Sequence, residues 1–177
     1  MEFFVSSNHD LLVSVYHFTV TSSALSLIAI FFAKWFPCLV GFFALGYIFL
    51  RTKEKKEIPK ILLQIFGPPI VAVICAKLLK LGFQAPRPFV ELNFFPLVLE
   101  PDYLGAFPSI HATFFAALGF AIYFKDKHFG SYFIMSALVI GFARIATGVH
   151  WPVDIIFGLL LGFLISYCWK KLTPTTS

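Results

Sequence analysis

Charged residues are scarce in this sequence. Asp, Glu, Lys and Arg make up only 13% of its 177 residues, whereas hydrophobic residues account for 59%. So few charges cannot cover the surface of a water-soluble domain of this length, and the mean hydropathy of +0.85 points the same way. The shortage of charge therefore excludes an ordinary soluble domain. It predicts an all-α, polytopic membrane protein built as one domain over residues 1–177.

Cysteines and clustered metal ligands are scarce as well. The three cysteines, Cys38, Cys75 and Cys168, stand singly in or beside apolar segments and form no CxxC pair, so they indicate neither a disulfide framework nor a metal site. The sequence also has no carboxylate pair and no histidine cluster with the spacing of metal ligands. We therefore expect neither a metal nor another cofactor.

The net charge of +5 would fit a nucleic-acid-binding protein, but the positions of the basic residues do not. They crowd residues 51–60, 125–128 and 170–171, which lie between or after apolar runs, and no basic face recurs elsewhere. Short basic loops of this kind are typical of the cytoplasmic side of a membrane protein. We therefore exclude nucleic acid as a partner and expect the lipid bilayer in its place.

The apolar runs predict a bundle of six transmembrane helices. Their expected bounds are residues 19–33, 37–50, 61–83, 109–124, 129–145 and 152–169. The first 18 residues mix apolar and polar groups and are expected to form an interfacial helix, whereas residues 172–177 are expected to be a disordered tail. An even number of spans places both the N-terminus and the basic loops in the cytoplasm.

Two features inside these spans predict local geometry. Gly67-Pro68-Pro69 should kink the third span, because proline cannot donate the helical hydrogen bond. Gly158 and Gly162 form a GxxxG pattern in the last span, which indicates close helix packing inside the bundle, with a dimer interface as the less favoured alternative. The sequence leaves the oligomeric state undecided.

The remaining polar residues form three clusters, and the six-span arrangement places all three at the outward face. The first cluster contains Lys80 and Arg87, at the end of the third span. Prolines on both sides of Arg87 restrict its backbone and aim its guanidinium, which binds phosphate oxygens in pairs, while Lys80 adds a point charge. The alternative is that both side chains reach lipid headgroups, as cations at helix ends often do.

The second cluster contains Ser109 and His111. Ser109 is expected to cap the fourth transmembrane helix, whose free N–H groups and positive dipole end suit a phosphate. His111 would then lie in the first turn, beside that phosphate. Plain capping by Ser109 and a packing role for His111 are the alternatives, but the cations at the same face favour a functional role.

The third cluster contains Arg144, His150 and Asp154, around the turn between the fifth and sixth spans. Asp154 falls in the first turn of the last helix, close enough to reach His150. A carboxylate that holds one imidazole nitrogen leaves the other one basic, which makes a nucleophile. The alternative is that Arg144 and Asp154 only complement the dipoles of the two helix ends.

These clusters resemble the signature of the type 2 phosphatidic acid phosphatase family, KxxxxxxRP, PSxH and SRxxxxxHxxxD. The family also includes vanadium haloperoxidases, which are soluble and therefore fit this hydrophobic chain poorly. One departure is visible, since the serine that precedes the last arginine of the signature is Ala143 here. The order and spacing of the signature are otherwise matched by Lys80, Arg87, Pro88, Pro108, Ser109, His111, Arg144, His150 and Asp154.

The resemblance implies a membrane lipid phosphatase that needs no metal. In the mechanism it implies, His150 attacks phosphorus and forms a phosphohistidine, and Asp154 orients His150. His111 protonates the leaving oxygen and then activates water. The phosphate oxygens are held by the four remaining residues, Lys80, Arg87, Ser109 and Arg144.

Relatives of this compact size resemble bacterial enzymes that act on undecaprenyl diphosphate, phosphatidylglycerol phosphate or lipid A phosphates. The resemblance therefore implies a membrane lipid phosphate as the partner and the bacterial inner membrane as the location, with the site facing the periplasm. The sequence does not choose among these lipids. A non-catalytic phosphate-lipid-binding protein or transporter is the alternative, although no second interrupted span matches the one at residues 67–69.

Overall fold

The structure is a computed structural model that describes residues 2–52, 54–100 and 105–173, with side chains from residue 7 onward. These residues contain seven α-helices. In chain order they are α1 (Glu2–Val20), α2 (Ser23–Arg51), α3 (Ile58–Phe83), α4 (Pro88–Glu91), α5 (Ile110–Tyr123), α6 (Lys127–Ala146) and α7 (Pro152–Leu172). No strand occurs within these ranges, so the predicted all-α class is confirmed.

Helix α2 corrects the prediction that residues 19–33 and 37–50 form two separate spans. The helix runs without a break from Ser23 to Arg51, and its middle part, Phe31–Trp35, has π-helical hydrogen bonding. Pro37 lacks the N–H that an α-helix would use at its position, and a wider turn just before it accommodates the missing donor. Pro37 thus marks a local change of helical geometry and not a chain reversal.

Helix α3 also continues through its prolines. Pro68 and Pro69 are both buried inside this helix of 26 residues, which begins at Ile58 and so earlier than predicted. A Cβ atom on Gly67 would lie 2.4 Å from the ring of Trp169 in α7. The glycine therefore allows α7 to pack directly against the proline-containing part of α3.

Helix α5 is the centre of the bundle. It has 14 residues, which makes it roughly 21 Å long at 1.5 Å per residue, and it packs against α7, α6 and α3. Its buried residues include the consecutive Phe115, Ala116 and Ala117, which point in three different directions around the helix axis. A helix that is apolar on all sides must be enclosed by other helices, and α5 is.

Four segments of the described chain are long and apolar enough to cross a membrane. Three of them are the helices α2, α6 and α7, and the fourth is the segment Lys55–Glu91, which contains α3. Large apolar side chains such as Phe42, Leu63 and Leu78 are exposed on their outer surfaces, where lipid would cover them. Together with the shorter α5, these segments run five times between the two ends of the bundle. The predicted count of six is not reached among the described residues, because α2 replaces two predicted spans.

The two ends of the bundle differ in charge. At one end, which we call the basic end, Arg51 donates a hydrogen bond to Asp126 Oδ2 at 2.9 Å, and Lys125 bonds to Gln64. The opposite end holds the C-terminus of α3 and the N-termini of α5 and α7. We call it the site end, because the polar clusters of the sequence lie there.

Helix α1 lies at the site end. Asn8 Oδ1 accepts a hydrogen bond from the backbone N–H of Val153 at the start of α7 (3.0 Å), and the Tyr16 hydroxyl donates to the carbonyl of Phe95 (2.7 Å). Since both partners belong to the site end, α1 runs across it. The expectation that the N-terminus lies with the basic loops is therefore corrected, because five crossings place the two chain ends on opposite sides. The interfacial character of residues 1–18 stays a prediction.

The GxxxG pattern of α7 faces α5. A Cβ atom on Gly162 would lie 2.5 Å from the carbonyl oxygen of Thr113 and 2.8 Å from the Cβ of Ala116, and one on Gly158 would lie 2.9 Å from the carbonyl oxygen of Ser109. The two glycines thus bring α7 against the backbone of α5, which is the predicted packing inside the bundle.

The C-terminal end of α7 lies beyond the predicted boundary at residue 169. The helix includes Lys170 and Lys171 and ends at Leu172, and Lys170 Nζ lies 4.7 Å from the centre of the Phe124 ring. Leu172 therefore belongs to the helix and not to the predicted disordered tail, of which residues 174–177 lie outside the described residues.

Gly162→Ala is expected to destabilise the protein, because the added methyl group would press against the backbone of α5, and overpacking of this kind costs about 1–3 kcal/mol. Gly46→Ala is the matched control, since a Cβ atom there meets nothing within 4 Å. The measurement is the apparent melting temperature of both variants in detergent. Equal melting temperatures would contradict the proposed tight contact of α7 with α5.

Candidate active site

The site end brings the seven residues singled out in the sequence into one region. They are positioned by the ends of five helices and by one turn, and α5 holds α3, α6 and α7 together through its contacts with them. Lys80 lies on the last turn of α3, Arg87 just before α4, Ser109 and His111 at the start of α5, Arg144 on the last turn of α6, His150 in the turn that follows, and Asp154 on the first turn of α7.

The imidazole and the carboxylate of the third cluster are in contact. His150 Nδ1 lies 3.2 Å from Asp154 Oδ2, and both side chains are almost completely buried. The same oxygen accepts a hydrogen bond from the backbone N–H of Trp151 at 2.9 Å, which fixes the carboxylate at the start of α7. Because a carboxylate only accepts, the proton lies on Nδ1, and Nε2 keeps its lone pair for attack on an electrophile.

Two cations of the site are held by carbonyl oxygens. Lys80 is completely buried, and its Nζ donates to the carbonyls of Gly105 at 2.5 Å and Ala106 at 3.0 Å. Arg87 is also buried and donates through Nη1 to the carbonyl of Val149 at 2.9 Å. Burying a cation costs several kcal/mol unless it is paired. Cations buried at such a cost in free energy are typically functional residues.

The third cation, Arg144, is 2% exposed and forms an ion pair with Glu100. Among the described residues, its Nε has no hydrogen-bond acceptor. Leaving a buried donor without an acceptor costs about 1–3 kcal/mol, and an anion bound in the site would supply the acceptor. The role of Glu100 is not visible in the sequence, because nothing in the spacing of residues 84–107 shows which acidic side chain turns inward.

Ser109 connects the second cluster to the third. Its backbone N–H donates to the carbonyl of Asp154 at 3.1 Å, which ties the start of α5 to the start of α7. Its Oγ accepts from the backbone N–H of Ala112 at 3.5 Å, so Ser109 is the N-cap of α5. His111 lies in the first turn and is partly buried. The positive end of the α5 dipole therefore faces the region of the buried cations.

Trp151 also organises the site, a role that no pattern in the sequence indicates. Its indole Nε1 donates to the carbonyl of Pro86 at 3.1 Å. This bond joins the segment that carries Arg87 to the turn that carries His150, and Arg87 itself bonds back to Val149 in that turn. The first and third clusters are thus held together by two hydrogen bonds that are distant in sequence.

A cavity of about 550 Å³ opens beside the buried cations. Lys80, Arg87 and Glu100 line its polar part, and Leu81 and Val90 line its apolar part. Leu81 and Val90 are also exposed on the outside of the bundle. A charged interior with an apolar rim suits an amphipathic ligand whose anionic end enters first.

The surroundings of His150 keep it neutral. Burial lowers the pKa of His150 well below its usual value of 6.5, and the positive charges of Arg144, Arg87 and Lys80, together with His111, lower it further. An imidazole must be neutral to act as a nucleophile. The same cations that would bind an anion therefore also keep this nitrogen unprotonated.

Comparison with known proteins decides the family. Residues 61–176 match the PAP2 superfamily, a range that contains all three clusters. The chain belongs to the PAP2 superfamily. The resemblance seen in the sequence signature is thereby confirmed.

Individual PAP2 relatives agree with this assignment. The chain is 29% identical to the bacitracin transport permease protein BcrC of Bacillus licheniformis, over 80% of this chain and 68% of the relative. It is 26% identical to the undecaprenyl-diphosphatase BcrC of Bacillus subtilis, over 90% of this chain and 81% of the relative. The crystal structure of LpxE of Aquifex aeolicus is 25% identical and superposes with a TM-score of 0.67, over 92% of this chain and 93% of that one. The chain is a phosphatase of the PAP2 superfamily.

Ala143, where the PAP2 signature has serine, lies in an apolar contact. It is 4% exposed and packs with Ala33 of α2 and with Val98 of the connection before α5. A methyl group at this position therefore takes part in seating the connection against α6. The departure from the signature has a packing role, next to Arg144.

The lowered pKa of His150 predicts that its imidazole stays neutral as the pH falls from about 8 to about 6, an interval in which an ordinary histidine takes up a proton. NMR spectra of histidine-labelled PAP2 protein in detergent would show this as a signal that does not move over that interval. The signal is assigned by its absence in His150→Gln. If the assigned signal titrates between these pH values, the cationic surroundings described for His150 are wrong.

Proposed function

We propose that this PAP2 phosphatase hydrolyses the terminal phosphate of a membrane lipid without a metal, through a phosphohistidine on His150, and that undecaprenyl diphosphate is its substrate. The observation that carries the proposal is the buried contact of His150 with Asp154, beside the buried cations Lys80, Arg87 and Arg144. A neutral nucleophile close to three cations matches what phosphoryl transfer from an anionic ester requires.

The first half of the reaction forms the phosphohistidine. Nε2 of His150 attacks the terminal phosphorus while its bond to the bridging oxygen of the diphosphate breaks, and His111 gives a proton to that oxygen, so that the lipid monophosphate leaves. Asp154 accepts the Nδ1 hydrogen bond and so stabilises the positive charge that develops on the ring. The three cations and the N-terminal end of α5 at Ser109 hold the phosphate oxygens, whose charge is redistributed in the transition state.

The second half releases phosphate. His111, now without its proton, takes one from a water molecule, and the water oxygen attacks phosphorus. The bond from phosphorus to Nε2 breaks, and inorganic phosphate leaves with His150 restored. Because burial and the nearby cations disfavour a charged imidazole, the surroundings of His150 also favour breakdown of the intermediate.

Two observations support a polyprenyl lipid diphosphate as the substrate. The cavity is lined by the buried cations Lys80 and Arg87 and also by Leu81 and Val90, which are exposed at the outer surface of the bundle, where lipid chains would lie. A relative that covers 90% of the chain is named an undecaprenyl-diphosphatase. Phosphatidylglycerol phosphate and lipid A 1-phosphate are the other lipid substrates that the test must include.

We place the protein in the bacterial inner membrane with the site end facing the periplasm. Arg51, Lys125 and Lys170 all lie at the basic end, which the positive-inside rule assigns to the cytoplasm. A periplasmic site gives access to phosphate lipids of the outer leaflet of that membrane. The apolar rim at Leu81 and Val90 allows such a lipid to keep its chains in the bilayer.

Purified protein in detergent should release phosphate from undecaprenyl diphosphate in the presence of EDTA, and faster than from phosphatidylglycerol phosphate or a lipid A precursor. His150→Ala should lower this release by more than about 10³-fold, because it removes the nucleophile. Faster release from one of the other two lipids would replace the substrate proposed here. Loss of activity in EDTA would contradict the metal-free mechanism.

The same assay, combined with a measurement of lipid binding, separates an enzyme from a carrier. The carrier is the alternative suggested by the name of one relative, a transport permease protein. If wild-type protein binds all three lipids but releases phosphate from none, the binding or transport alternative replaces the proposed hydrolysis. Folding of the wild type and of His150→Ala is compared by their elution in size-exclusion chromatography.

Thiol labelling tests the orientation. In a background with the three cysteines replaced, a membrane-impermeant reagent should label Glu91→Cys at the site end in intact spheroplasts, and Lys127→Cys at the basic end only after lysis. Both positions are exposed, so their access to the reagent depends on the side of the membrane. The reverse pattern would place the site in the cytoplasm.

A further inference from the structure

An acidic side chain lies inside the cationic region that the proposed function assigns to phosphate. Glu100 forms an ion pair with Arg144 and lines the same cavity as Lys80 and Arg87. The two partners are mostly buried, with exposed fractions of 15% for the Glu100 side chain and 2% for that of Arg144. A carboxylate and a phosphate offer an arginine the same kind of oxygen pair.

The backbone around Glu100 is held in place by contacts to α6 and the turn after it. The N–H of Leu97 donates to the carbonyl of Thr147 at 3.0 Å. Val98 is 8% exposed and packs on Ala143, the residue before Arg144. Two residues after this anchored position the chain reaches Glu100, so its carboxylate is directed to Arg144 by packing and not by charge alone.

Glu100 and a phosphate cannot both bind Arg144 at low cost. A doubly charged phosphate within a few ångströms of a carboxylate is repelled, and the repulsion is strong where water is largely excluded. The Arg144 guanidinium would also have to divide its donors between the two anions. Its Nε, which lacks an acceptor among the described residues, offers one bond to a phosphate, but the Nη2 that faces Glu100 does not.

We propose that Glu100 is a resident competitor of phosphate: it occupies Arg144 in the ligand-free enzyme, is displaced when the lipid phosphate binds, and returns to Arg144 to expel the phosphate product. The proposal rests on the proposed function, since it assumes that Arg144 binds the reacting phosphate. Glu100 is thus a residue that sets affinity for the substrate and the product and takes no part in the bond-breaking steps.

The physical advantage lies in product release. Three cations and a helix N-terminus that stabilise the transition state would also bind inorganic phosphate after hydrolysis. A carboxylate that competes for one of the cations lowers that affinity without removing the cation. The binding affinity for any phosphate is reduced by the fraction of molecules in which Arg144 is available, so occupancy by Glu100 in about nine molecules of ten costs about tenfold in affinity.

Glu100→Gln removes the negative charge and keeps the size of the side chain. We expect the variant to bind inorganic phosphate about tenfold more tightly than the wild type, as measured by isothermal titration calorimetry of the full chain in detergent. The KM for lipid substrate should fall in parallel, and kcat should stay the same or decrease because phosphate leaves more slowly. Glu91→Gln is the matched control, since Glu91 is exposed on α4 and should leave the wild-type affinity unchanged.

The outcomes separate this proposal from the function on which it rests. If Glu100→Gln binds phosphate equally or more weakly while the wild type hydrolyses lipid, the proposal that Glu100 competes with phosphate is wrong. Glu100 would then be a positioning partner of Arg144. Tighter binding by both Glu100→Gln and Glu91→Gln overturns it as well, because the effect would then be one of net charge. If no variant binds phosphate and the wild type hydrolyses no lipid, the proposed function fails and the competitor fails with it.

Discussion

The structure depends on keeping three cations close together inside an apolar bundle. Lys80, Arg87 and Arg144 are each at most 4% exposed, and like charges that are both buried and adjacent raise the free energy of the folded state. The surrounding chain offsets this cost with carbonyl oxygens of the connection before α5 and of the turn before α7, and with the carboxylate of Glu100. Arg87 bonds to the same turn that carries His150, so the contacts that stabilise the fold are also those that the proposed catalysis would use.

Helix α5 is what makes this compensation possible. Glycines of α7 bring the two helices so close that the N–H of Ser109 reaches the carbonyl of Asp154. The start of α5 and the start of α7 are thereby fixed side by side, and with them the second and third clusters. The first cluster is joined to this pair by two bonds to backbone carbonyls, from Trp151 to Pro86 and from Arg87 to Val149.

The residues of the site could be found in the sequence because they lie at helix ends, where short spacings determine which side chains meet. Asp154 can reach His150 because the two residues are four positions apart across the start of α7, and a sequence shows such a spacing directly. The partners that the sequence did not show, Glu100 and Trp151, act across 44 and 65 residues. Their contacts depend on the path of the connection between α3 and α5, which no local pattern determines.

The prediction of two spans, residues 19–33 and 37–50, where α2 forms one helix accounts for most of the difference between the predicted and the observed fold. That single extra crossing also moved the N-terminus to the wrong end of the bundle. The positions of the three clusters did not suffer, because they were located from the basic loops that follow. A single error in the number of predicted spans reverses the predicted side of the N-terminus. The charge at each end of the bundle depends on many residues and is therefore less affected by one error.

The shortness of α5 has a consequence for where the chemistry occurs. A helix of roughly 21 Å falls about 9 Å short of a hydrocarbon layer of about 30 Å. Since its other end meets the charged pair of Arg51 and Asp126, the deficit lies on the side of Ser109. At the proposed site, the reacting phosphorus would then sit below the level of neighbouring headgroups. An enzyme with the proposed site would draw the polar end of its lipid down toward the acyl chains and would not lift the lipid out of the bilayer.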